Sequence, residues 1–345
     1  MSARDATSPI EAESLGEEHK LAFRLAFSAA FGFTIGHLLG WDFPFLPPLF
    51  AVQLLTGGNS FSIKEAVGFV LLMTAGCALS ILIAQAFIET PLILILVIAL
   101  LVFLSFLMLA RGVSIANVVL ITVSIVPLTA ATSLDSAYAL VNNLIAGSIL
   151  AVLLVFLAYA IFPAQAGSNE RETASATAEG SPVRAALADT TVLLSLVILF
   201  LLSGSPVSIV VLITALTILR LPDVARYGAA LAYFVGNLTG GLAASVAYFL
   251  VTWLPSPVFL LLVGLLFGLV FGAKIAKGGQ LASAYGVGLV TFLIVLGIGL
   301  APLPGDSGTV FIERVLNVVI AAAYTIGIAS VTRWLFSAQN KSVTL

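Results

Sequence analysis

Residues 91–112 read PLILILVIALLVFLSFLMLARG, and residues 257–278 read PVFLLLVGLLFGLVFGAKIAKG. Each is an apolar run opened by proline and closed by a basic residue and glycine. That is the length and punctuation of a helix that crosses a bilayer. Pro91 pairs with Pro257, and Arg111-Gly112 with Lys277-Gly278, at a separation of 166 residues (257−91). Working outward, Arg24-Leu-Ala pairs with Arg184-Ala-Ala, Gly68 with Gly228 and Gly76 with Gly236, at 160 (184−24). The six extra residues fall in one loop around Trp253-Leu-Pro-Ser-Pro257. The chain therefore reads as an all-α integral membrane protein of two parallel repeats, each of about six transmembrane helices. Duplicated helical bundles are a frequent plan of secondary transporters, with the substrate path between the halves.

Composition points the same way. Hydrophobic residues make up 61% and charged residues 9% of the chain, against about 25% charged in a soluble domain. So much apolar surface needs lipid as its solvent. A net charge of −2 gives no reason to expect a nucleic-acid partner. The single cysteine, Cys77, excludes a disulfide framework. Glu11, Glu13, Glu17 and Glu18 precede the first apolar run, where a signal peptide would be basic. Ser14-Leu-Gly-Glu17 reads as a capping box that opens the first helix.

Apolar runs predict helices near 21–40, 43–56, 64–88, 91–110, 114–133 and 137–162 in the first half. In the second they fall near 184–203, 206–220, 223–252, 256–273, 280–301 and 308–335. The resulting division is a tail 1–20, a first repeat 21–162, a linker 163–183, a second repeat 184–336 and a tail 337–345. The linker is rich in Ala, Ser, Thr, Glu and Gly and cannot bury a core. The segments 43–56 and 206–220 are short for a span, and Pro44, Pro47 and Pro48 crowd the first. Short or interrupted segments at matching places in two repeats point to a binding site. With both termini in the cytoplasm, Arg4, Lys20, Arg24, Lys64, Arg111, Arg171, Arg184, Arg220, Arg226, Lys274, Lys277, Arg333 and Lys341 lie inside or at the inner boundary. Only Arg314 lies outside, and this basic bias sets the expected orientation.

Several polar residues stand out against this background. Arg24 and Arg184 hold matching places one turn into their helices. Each either snorkels to the inner headgroups or guards the inner mouth for an anion. Asp189 lies five residues beyond Arg184, about 7 Å deeper at helical rise, where the first half has Ala29. It reads either as a proton-carrying carboxylate or as a polar contact near the interface. Arg314 reads as an interfacial anchor or as part of a substrate path. Asn143 and Asn317 match across the halves and suit either interhelical hydrogen bonds or substrate contact. Gly32, Gly36 and Gly40, then Gly236 and Gly240, then Gly264, Gly268 and Gly272 form four-residue stripes. Such stripes let helix backbones approach or leave a smooth path between them. His37 and Asp42 stand without the further ligands that a metal site needs. No nucleophile–base pair, phosphate loop or dinucleotide fingerprint is present, so neither an enzyme nor a cofactor is expected.

The segments Arg24-Leu-Ala-Phe-Ser-Ala-Ala-Phe-Gly, Pro48-Leu-Phe-Ala-Val-Gln-Leu-Leu and Arg314-Val-Leu-Asn-Val-Val-Ile-Ala resemble the fusaric acid resistance and aromatic acid exporter superfamily. The resemblance is to a compact bacterial branch of it described as of unknown function, and it runs over nearly the whole chain. It implies a bacterial inner-membrane protein with six helices per half that exports aromatic carboxylic acids. It also implies a periplasmic adaptor of the membrane-fusion type as partner. By it, Arg24 and Arg184 correspond to the helix-opening arginines and Arg314 to the arginine of the last helix. Larger members carry a substantial cytoplasmic domain, whereas this chain has only the short linker. The expected function is proton-driven export of small anionic aromatic compounds. The alternative is a non-transporting scaffold or an assembly subunit of an efflux complex.

Overall fold

The computed structural model describes residues 9–57, 61–113, 116–164, 181–203, 227–279, 281–300 and 327. Among them are ten helices and no strand: α1 Pro9–Leu38, α2 Leu46–Thr56, α3 Ile63–Phe87, α4 Pro91–Ala110, α5 Ala116–Thr132, α6 Leu134–Ile161, α7 Pro182–Ser203, α8 Tyr227–Trp253, α9 Pro257–Ala276 and α10 Ala282–Leu300. Seven of the described stretches are long and apolar enough to cross a membrane, which makes this a multi-pass membrane protein. The expected segment 206–220 lies outside the described residues, as does all of 308–335 except Gly327.

Local chemistry sets the helix ends. Pro91 and Pro257 open α4 and α9, where a missing N–H costs nothing. Gly112 and Gly278 end the same two helices with φ of +81° and +69°, a region other residues adopt at a cost. α3 begins with a capping box. The Ser62 N–H donates to Glu65 Oε2 at 2.8 Å, and the Glu65 N–H donates to Ser62 Oγ at 3.2 Å. The expected box at Ser14 is absent, because α1 runs on to Pro9 and leaves residues 14–17 inside the helix. Acidic residues in a first turn suit the positive end of a helix, so the segment expected as a tail is helical from Pro9. Its 30 residues span about 45 Å, more than the roughly 30 Å of hydrocarbon.

α2 is the short exception, and its 11 residues reach only about 16 Å. It packs between α1 and α6 and is buried over Leu46–Val52. A helix start inside apolar surroundings normally leaves N–H groups without acceptors. Here Pro47 and Pro48 have no N–H to lose, and the Leu46 N–H donates to the Phe43 carbonyl at 3.1 Å. The prolines that crowd this segment thus allow it to begin in the protein interior. Glycines admit the stretch: Gly32 faces Pro48, Gly36 faces Pro44, and Gly297 of α10 faces the Phe45 ring.

α1, α2, α5 and α10 form the interior, whereas α3, α4, α6, α8 and α9 each expose one apolar stripe. α4 exposes Leu92, Leu96, Leu100 and Leu104 and buries Ile98, Val102 and Phe106. α9 exposes Val258, Leu262, Leu266 and Val270 and buries Gly264, Gly268 and Gly272. Every one of these positions pairs with its fellow at 166 residues (258−92, 264−98). α9 packs on α1, and α4 packs on α7. In the α1–α9 seam Gly264, Gly268 and Gly272 meet Ala30, Ala26 and Ala22, so the glycine stripe serves close packing. A β-carbon at Gly268 would lie 2.8 Å from Ala26 Cα. Gly268→Leu should therefore push the helices apart at a cost of about 1–3 kcal/mol. A lower apparent melting temperature in detergent is expected for it, and none for Gly68→Leu, which meets nothing within 4 Å.

Candidate functional site

Arg24 is the only charged side chain among the described residues that the protein fully buries, at 3% exposure. A buried charge must be paired and hydrogen-bonded. Its Nε donates to the Phe162 carbonyl at 2.7 Å, and its guanidinium carbon lies 4.7 Å from the Tyr159 ring centroid. Nη2 lies 3.6 Å from Glu17 Oε2. Phe162 caps the C-terminus of α6, where carbonyls lack helical donors and a cation is favoured. Phe23 stacks on the Phe162 ring at 5.4 Å. Arg24 thus clamps α1 to the end of α6 and does not snorkel. Glu17 and Arg24, two turns apart, share a face of α1, but the α6 partners lie 138 positions away and gave no sequence signal.

Arg184 is exposed on α7, so the two matched arginines stand in different surroundings. Asp189 is half-buried between the buried Ala188 and Thr190 on the same helix, and both Arg184 and Asp189 have interaction partners. Asn143 is 8% exposed, and its Nδ2 donates to the Ala139 carbonyl at 2.8 Å. Its Oδ1 is buried without a hydrogen-bond donor. Arg314 and Asn317 lie outside the described residues. Arg24, Asn143 and Asp189 belong to three different helices, α1, α6 and α7, and no contact joins Arg24 to either of the others. Among the described residues no three His, Cys, Asp or Glu side chains group as a metal site would require.

One buried polar contact escaped the sequence reading. Thr291 Oγ1 of α10 donates to Asn237 Oδ1 of α8 at 2.6 Å, and both residues are 3% exposed. The contact is near mid-length in α10. Residues at the corresponding separations are Cys77 (237−77, 160) and Ile125 (291−125, 166), both buried in the core. An asparagine inside an apolar helix was the available signal. Matching the two halves does not single it out, because Asn237 has no asparagine opposite it.

Residues 21–158 match the model of a family described as "Protein of unknown function (DUF2955)". The match ends inside α6 and so covers the first half only. No curated protein and no solved structure matches the chain.

The Asn237–Thr291 pair can be tested by a double-mutant cycle. Hydrogen bonds between membrane helices couple by about 0.6 kcal/mol on average and up to about 1.7. Thr291→Val should destabilise by an amount in that range. The double change Asn237→Cys with Thr291→Ile should cost less than the two single changes added, read from unfolding in mixed micelles.

Proposed function

We propose that the protein is a bacterial inner-membrane carrier of two parallel six-helix repeats, which exports small anionic aromatic compounds at the expense of the proton gradient. The observation that supports this most is reciprocal packing. α9, which matches α4 at a separation of 166, lies on α1, and α4 lies on α7, which matches α1 at 160. Buried and lipid-facing stripes recur at the same separation. Parallel repeats joined crosswise leave an interface that both halves line, which is where such carriers bind their cargo. The likeness to aromatic acid exporters supplies the substrate class, and a periplasmic adaptor would be the partner. A non-transporting scaffold is the second reading. It is favoured by Arg24, whose guanidinium is engaged by the protein's own groups.

The basic residues argue for cytoplasmic termini and a cytoplasmic linker. In a variant lacking Cys77, an impermeant thiol reagent applied to intact cells should label Asp135→Cys and spare Lys277→Cys. The opposite pattern would invert the arrangement.

Asp189 is the candidate for proton coupling, since a carboxylate at that depth costs about 2.5–3.5 kcal/mol to insert and Ala29 holds the matching place. Asp189→Asn should abolish pH-driven accumulation in reconstituted vesicles while substrate binding persists. Undiminished pH-driven uptake would remove the proton-coupled mechanism, and the absence of transport by the wild-type chain would leave the scaffold.

A further inference from the structure

A guanidinium offers five N–H donors in a planar fork that fits a carboxylate. In Arg24 the Nε is used by the Phe162 carbonyl, and Nη2 is buried with no hydrogen-bond acceptor. The nearest counter-charge, Glu17 Oε2, stands at 3.6 Å. Charge-assisted N–H···O bonds form at about 2.7–2.9 Å, so this pair has Coulomb attraction without the hydrogen bond. Glu17 is shared, because its Oε1 lies 3.4 Å from Lys20 Nζ. Its side chain is 20% exposed, so Glu17 borders solvent while Arg24 does not. Aromatic faces flank the guanidinium: Tyr159 covers it, and the Phe23–Phe162 stack adjoins it.

We propose that Arg24 is a carboxylate-binding site at the inner end of the bundle, occupied in the resting protein by the side chain of Glu17. An organic carboxylate entering from the cytoplasm displaces Glu17 and forms the short bond to Nη2 that Glu17 does not make. Lys20, already within ion-pair reach, keeps the displaced Glu17 neutralised, so the exchange leaves no charge unpaired. The ring of an aromatic acid packs against Tyr159 and Phe23. This rests on the carrier reading for the side of entry. The position of Glu17, 3.6 Å from Nη2, is what identifies the ligand class, since it is itself a carboxylate.

The test is calorimetric titration of the full chain in lipid nanodiscs with benzoate, and with benzamide as its uncharged counterpart. Removing the internal competitor with Glu17→Gln should tighten benzoate binding about tenfold, equivalent to about 1.4 kcal/mol, with benzamide unaffected. Adding Arg24→Gln should abolish the gain. Equal benzoate affinity in wild type and Glu17→Gln, or no binding by either, overturns the proposal and makes Glu17 a structural counter-ion only. Should Glu17→Gln not fold, Lys20→Gln serves instead. Several-fold weaker benzoate binding is expected there, and unchanged binding overturns the idea. Glu17-dependent binding in a chain that moves no solute across vesicles would uphold this site and reject the carrier. Transport of another solute with Glu17-independent benzoate binding would do the reverse.

Discussion

The close approach of α1 to α9 is the contact on which the rest of the bundle depends. Helices in lipid gain nothing from hiding apolar surface, so association rests on van der Waals contact and hydrogen bonds. Alanine facing glycine lets two backbones approach closely, and three such meetings follow one another along this seam. α1 is buried nearly all round as a result, with α9 on one side and α2 and α6 on the others. α4, which packs on α7, buries Ile98, Val102 and Phe106 where α9 buries glycines. Large residues at a crossing hold helix axes toward the wide end of the range of about 8–10 Å.

Polar groups in such a bundle are satisfied locally or across one helix pair. Ser80, Ser124, Thr129 and Thr190 each return their hydroxyl to the carbonyl four residues earlier, which lets hydroxyls enter an apolar core at little cost. Ser28 Oγ, Thr34 Oγ1, Asn117 Oδ1 and Asn143 Oδ1 are buried without a hydrogen-bond partner. Two of the four lie on α1, and Ser28 stands one turn beyond Arg24 on the same face. The helix buried on most of its sides therefore also holds two of these groups and the partly satisfied Arg24.

Where residue chemistry acts locally, the fold was legible. The bounds of α4 follow from Pro91 at one end and Arg111-Gly112 at the other, and the apolar runs mark the remaining described helices to within a few residues. The start of α1 is not legible, because a capping box is a local pattern that a longer helix can absorb. Glu11 and Glu13 fit the first turns of a helix as well as they fit a tail. The site was less legible. Arg24 and Arg184 look alike in sequence, yet one is buried and the other exposed. The difference comes from α6, whose end is brought to Arg24 by packing that no spacing announces. The Asn237–Thr291 contact was missed because sequence matching finds what two halves share, and this pair is what they do not share.

That asymmetry bears on function. If the halves are repeats, Asp189 stands for Ala29, Asn237 for Cys77 and Thr291 for Ile125. All three changes place polar groups in the second half where the first is apolar. The buried charge lies the other way, in Arg24 and its Glu17. Each polar group placed in lipid-solvated structure costs stability unless it is paired, so two copies under equal demands would both stay apolar. A division of labour separates the demands. The first half holds a fixed cation at one end of the bundle, closed by packing against α6 and α9. The second half pairs Asn237 with Thr291 between its own helices α8 and α10 and carries Asp189 on α7. A solute path between the halves would then meet the cation of Arg24 at one end, where an anion must be captured from water.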